Sequence, residues 1–194
     1  MEKRLLTPIF LDSPEGEATV GTLLQRFQFG DGSCREAVRD ILRAVREKKD
    51  EAVVAYGRKY DAPDLTAAQL PASLEELQEA YDLVERPFLD SLALAIERIE
   101  SFHQREMEDS WLQTRDDGTI VGRLVRPVDS AGLYVPGGKG GSTPLVSSVL
   151  MNGIPALIAG VGRRVMVTPP NKDGKIDPHL LVAAQEIGIT DIYK

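Results

Sequence analysis

Gly137, Gly138, Gly140 and Gly141 surround a single lysine, Lys139, directly after an apolar run at 131–135 and Pro136. Glycine has no Cβ to forbid positive φ, so a loop of this kind turns sharply and brings backbone N–H groups close to a ligand. An apolar segment follows at 145–158 and a β-branched run at 165–168. Strand, glycine loop, helix and strand in that order make a ligand-binding corner of an α/β sheet, and the chemistry suited to it is binding of a phosphate or dinucleotide. Spacing alone does not decide the matter. Gly-Gly-Lys-Gly-Gly-Ser lacks the third glycine position of the dinucleotide motif and the gap that precedes Gly-Lys-Ser/Thr in a P-loop. An anion site and a plain strand-to-helix turn both stay open.

The remaining residues capable of chemistry are scattered. A catalytic zinc takes three protein ligands, histidine prominent among them and often partly close in sequence. His103, His179 and Cys34 are far apart, with no H-x-x-H or H-E-x-x-H spacing. No metal ligand and no catalytic residue is therefore assigned within the chain. Cys34, in the first turn of an expected helix, has a position that can lower a thiol pKa, but it has no histidine nearby and reads as inert. Tyr56 and Tyr60 read as core packing with the hydroxyl at the surface. His103, beside Phe102 at a helix C-terminus, and His179, just past Pro178, read as structural or surface residues.

The elements that must position the glycine loop form an α/β chain, in which an N-terminal helical block leads into an incomplete Rossmann-like βαβαβ unit. Residues 1–30 read as an irregular arm, because Leu5, Leu6, Ile9, Phe10, Leu23, Leu24, Phe27 and Phe29 follow no single period. Residues 31–128 read as the helical part of a first domain ending in a hairpin. Ser33-x-x-Glu36 and Ser73-x-x-Glu76 have the capping-box spacing. Lys48-Lys49-Asp50 interrupts the first helix, and Pro87 opens another where its missing N–H costs nothing. Asp117-Gly118 is a hairpin-turn dipeptide, and this hairpin is the expected hinge. From 129 the order is strand (131–135), loop, helix (about 144–160, with Pro155 inside), strand (164–168), helix (about 178–187) and strand (191–194), the start of a Rossmann-like domain. A sheet that stops at Tyr193-Lys194 is expected to keep an unpaired edge, a route to aggregation.

Composition limits the function classes. A net charge of −7 argues against non-specific nucleic-acid binding, which needs a basic surface. No apolar run suits a signal peptide or membrane span. A single cysteine allows no intrachain disulfide and fits a reducing cytoplasm.

The sequence GLYVPGG at 132–138, followed by SSVLMNGIPALIAGV at 147–161 and VMVTPP at 165–170, closely resembles histidinol dehydrogenase. The likeness extends to KKDEAVVAYGRKYD at 48–61, IERIESFHQRE at 96–106 and DGKIDPHLLVAAQEIGITDIYK at 173–194, nearly everything after about residue 30. Two departures stand out: KGGSTPLV at 139–146 is slightly longer than the commoner family loop, and the family runs to more than twice this length. The resemblance implies an N-terminal portion of a zinc- and NAD-dependent cytoplasmic enzyme. Such enzymes oxidise L-histidinol to L-histidine through an aldehyde, with two hydride transfers to NAD. It also implies a homodimer, to which the N-terminal segment contributes. Zn2+ ligands and the glutamate–histidine pair that handles protons are expected beyond Lys194. One matching position carries a role: Tyr134, the tyrosine of GLYVPGG, contacts NAD in relatives. On the residues alone, a strand-end tyrosine packed in the core is the alternative. A related zinc and NAD dehydrogenase for another small polar alcohol, or a non-catalytic scaffold, are the other readings of the whole chain.

Overall fold

The computed structural model describes residues 8–25, 33–138 and 143–194. Contacts divide the chain into two compact units, Met1–Lys49 and Asp50–Lys194.

The first unit holds α1 (Pro14–Gln25) and α2 (Ser33–Lys48). Helix α1 corrects the expectation of an irregular arm over 1–30. Its start signal is local: Ser13 Oγ accepts from Gly16 N at 3.0 Å, Pro14 occupies the first helical position, and Glu15 and Glu17 lie in the first turn, where the helix dipole favours negative charge. Gly16 is required, because a Cβ there would stand 2.0 Å from the Phe10 carbonyl oxygen. Leu5, Leu6, Phe27, Phe29 and the Ser33 side chain of the expected capping box lie outside the described residues. Lys49, with φ 51°, breaks the helix where the Lys-Lys-Asp interruption was expected.

The second unit begins with α3 (Asp50–Tyr60), α4 (Leu74–Glu79), a 3-10 turn at Ala80–Leu83 and α5 (Arg86–His103). The capping box at α4 forms in full: Ser73 Oγ accepts from Glu76 N at 3.0 Å, and Ser73 N donates to Glu76 Oε2 at 3.1 Å. Next, β1 (Trp111–Thr114) and β2 (Ile120–Arg123) pair antiparallel. Gly118 turns the hairpin at φ 81°, and Thr119 N donates to Asp117 Oδ1, which holds the Asp117 carboxyl below its ordinary range.

The βαβαβ order follows: β3 (Ser130–Tyr134), α6 (Val146–Ile158, with Pro155 inside), β4 (Arg163–Val167), α7 (Pro178–Glu186) and β5 (Asp191–Tyr193). The three strands form a parallel sheet in the order β3-β4-β5, with Tyr134 opposite Val167 and Val167 opposite Tyr193. The crossovers β3-α6-β4 and β4-α7-β5 run in one direction along the sheet, which by the right-handed rule for parallel connections puts both helices on one face. That face is the buried one: Leu133, Met166 and Ile192 are at most 8% exposed. Gly153 lets α6 settle closely, since a Cβ there would meet Ile187 Cδ1 at 2.4 Å.

The core ignores the expected division at 128. Leu77, Ala80 and Leu92 of the helical block share one buried cluster with Leu133, Met166, Ile154, Leu181 and Ile192. The chain's contacts instead separate after Lys49. The expectation of an unpaired edge after β5 is also corrected. Residues 70–72 run antiparallel along it, with Pro71 opposite Tyr193, Ala72 N donating to Ile192 O and Lys194 N donating to Leu70 O. Pro71 sits where no N–H is needed, which is how an edge accepts proline. Lys194 Nζ then reaches Glu76 Oε2 at 2.8 Å, with the lysine side chain 4% exposed.

Candidate functional site

Tyr134 closes β3 at the C-terminal end of the sheet, the end at which open α/β folds take ligands. Strand alternation puts its side chain on the face opposite Leu133 and Val135, which are 8% and 0% exposed, and Tyr134 itself is 62% exposed. Packing of this ring in the core, the alternative open on sequence alone, is excluded within this chain. Gly132, two residues before on the same face, would meet nothing within 4 Å if it carried a Cβ. The face of β3 that carries Tyr134 is thus open at Gly132.

The backbone beyond Tyr134 is tightly specified. Val135 N donates to Val167 O at 2.9 Å, extending the ladder one residue past the strand. Gly137 is buried, and Gly138 has φ 67°. A Cβ on Gly138 would stand 2.5 Å from the Thr143 carbonyl oxygen, so this glycine is needed for both its dihedral and its close approach. Lys139, Gly140 and Gly141 lie outside the described residues.

Two further residues lie near this corner. Asn152 of α6 donates from Nδ2 to the Tyr134 carbonyl at 3.3 Å. Thr168, directly after β4, is 2% exposed, and its Oγ1 has no hydrogen-bond partner among the described residues. Both lie in segments that carry the family resemblance, but each acquires its place beside Tyr134 or β4 only when the crossover folds back onto the sheet.

The two histidines are each engaged by a carboxylate close in sequence. His103 Nδ1 pairs with Glu106 Oε2 at 2.5 Å. His179 Nδ1 pairs with Asp177 Oδ1 at 2.9 Å and its ring meets Phe88 edge-on at 4.6 Å between centroids. Cys34 is exposed. Tyr81 donates to Glu186 Oε1 at 2.7 Å; burial and then this carboxylate push its pKa up to about 12. Among the described residues no group of three or more His, Cys, Asp or Glu is placed to hold a metal ion, and no helix is long and apolar enough to cross a membrane.

Comparison with known proteins places these features in a family. The family model described as histidinol dehydrogenase matches residues 24–194. Histidinol dehydrogenase of Desulfotalea psychrophila is 69% identical over 190 residues, covering 98% of this chain and 44% of the relative. That of Nitratidesulfovibrio vulgaris is 47% identical over 194 residues, covering all of this chain and 44% of the relative. The crystal structure of histidinol dehydrogenase from Elizabethkingia anophelis superposes with a TM-score of 0.75 at 34% identity, over 82% of this chain and 36% of that one. The chain spans less than half the length of the curated relatives it matches.

Proposed function

This chain belongs to the histidinol dehydrogenase family, and from that premise we propose that it is the N-terminal portion of an enzyme oxidising L-histidinol to L-histidine. The observation that carries the reading is 69% identity over 98% of the chain to a protein named for that activity. NAD would accept the two hydrides of the reaction, and zinc is the family's second cofactor.

The residues present suit one wall of an NAD site. Tyr134 offers an exposed aromatic face at the ligand end of β3, and Gly138 allows a close backbone approach to Thr143 that a side chain would block. An aromatic face of this kind would offer a planar surface to the cofactor and exclude water from one side of it. Zinc does not find its ligands here: the described residues assemble no set for it, so no step through the metal is drawn from this chain. Holding the substrate alcohol beside the nicotinamide, on which hydride transfer depends, falls in this reading to the part of the relatives' length that lies outside the match.

A chimera tests the proposal. Residues 1–194 replace the matching part of the Desulfotalea psychrophila enzyme, and NADH formation is followed with histidinol and NAD. The expected result is turnover close to that of the parent. A folded, zinc-loaded chimera that forms no NADH with histidinol, or that prefers another small alcohol, contradicts the assignment.

A further inference from the structure

We infer that Asn152 is a positioning residue for Tyr134, holding the tyrosine's peptide plane and through it the aromatic face offered to NAD; the inference rests on the NAD reading above. In a parallel strand, alternate residues aim their N–H and C=O groups at opposite edges. Val135 N bonds to β4, so the Tyr134 carbonyl faces away from β4. The sheet order β3-β4-β5 gives that carbonyl no strand partner among the described residues. Asn152 supplies the donor, 18 residues downstream and from a different element.

The helix is seated so that this residue, and not a neighbour, meets the edge. Gly153 and Ile154 are buried, and Gly153 is pressed against Ile187 and Ile189, which turns the next position back, Asn152, outward. Asparagine is a poor choice for an exposed mid-helix position, because its side chain competes for backbone hydrogen bonds. Here it uses that capacity on another segment's backbone. Only its amide nitrogen can serve, since the group it meets is an acceptor. The Tyr134 peptide is thus fixed from both sides, by the β4 ladder at Val135 and by Asn152 at its own carbonyl. Loss of the second tie frees the peptide to tilt and carries the ring with it.

The test uses the complete enzyme with NAD varied at saturating histidinol. Asn152→Ala is expected to raise KM for NAD roughly threefold to tenfold, the worth of one hydrogen bond, with kcat held within about twofold. Asn152→Asp, nearly the same shape but without a donor, should behave like alanine; Asn152→Gln, which keeps the donor on a longer arm, should recover part of the loss. Tyr134→Ala combined with Asn152→Ala should be no worse than Tyr134→Ala alone, since the two act as one unit. A merely structural residue would instead lower the melting temperature with no split between KM and kcat. If Tyr134→Ala raises the constant and Asn152→Ala does not, the inference is overturned while the NAD reading stands. If neither changes it, the Tyr134 variant identifies the NAD reading as the failure, and the inference falls with it.

Discussion

Among the described residues, the two sides of the three-stranded parallel sheet are held in opposite ways. Along β5, residues 70–72 add backbone hydrogen bonds, and Lys194 is buried against a carboxylate that also closes the α4 capping box. Along β3, the last carbonyl is met by one exposed side chain, and the ring beside it is 62% exposed. The first edge is held by a network whose members depend on one another. The second is held lightly at a position where an exposed group can meet a ligand.

The largest expected effect is at the closed edge. Glu76→Ala leaves Lys194 buried without its partner and removes one half of the capping box, a loss on the order of 3 kcal/mol. For a chain of this size that lowers the melting temperature by roughly 6–12 °C. Thermal denaturation of the variant checks it, and a melt unchanged within a degree would show that the pair does not hold the edge.

A smaller effect is expected on the same side of the molecule from Tyr81, which ties the turn after α4 to the end of α7 through Glu186. Its pKa is raised from the ordinary 10.0 to about 12, by burial and then by the carboxylate. A raised folded-state value means the neutral hydroxyl stabilises the fold. That contribution is complete below pH 10 and is lost as pH rises through about 12. Stability measured across this window should fall more steeply in the parent than in Tyr81→Phe; equal slopes would contradict the assignment.

Much of this arrangement was legible in the sequence, and the rest was hidden for identifiable reasons. The three parallel strands and two crossover helices announce themselves through β-branched runs separated by glycine and proline, and their bounds fall within two residues of the expected ones. Helix α1 shows no single period over residues 1–30, because Ser13-Pro14 and two acidic residues mark its start in the middle of that stretch. The 70–72 segment is too short to show an alternation, and its proline argues against a strand until the pairing partner is known. Glu76–Lys194 and Tyr134–Asn152 are contacts across 118 and 18 residues, and pairings of that reach have no local signature. For Tyr134 the family motif singled out the residue, but only the pleat shows on which face its ring lies.

The open edge is tested most directly by Tyr134→Ala in the complete enzyme, with steady-state kinetics at varied NAD and a melting curve on the same preparation. An exposed ring removed from the unliganded fold should change stability by less than about 0.5 kcal/mol. Loss of one aromatic contact should raise KM for NAD several-fold to about tenfold, and Tyr134→Phe, which keeps the ring, should do less. An unchanged KM for NAD in a folded Tyr134→Ala enzyme would contradict the account.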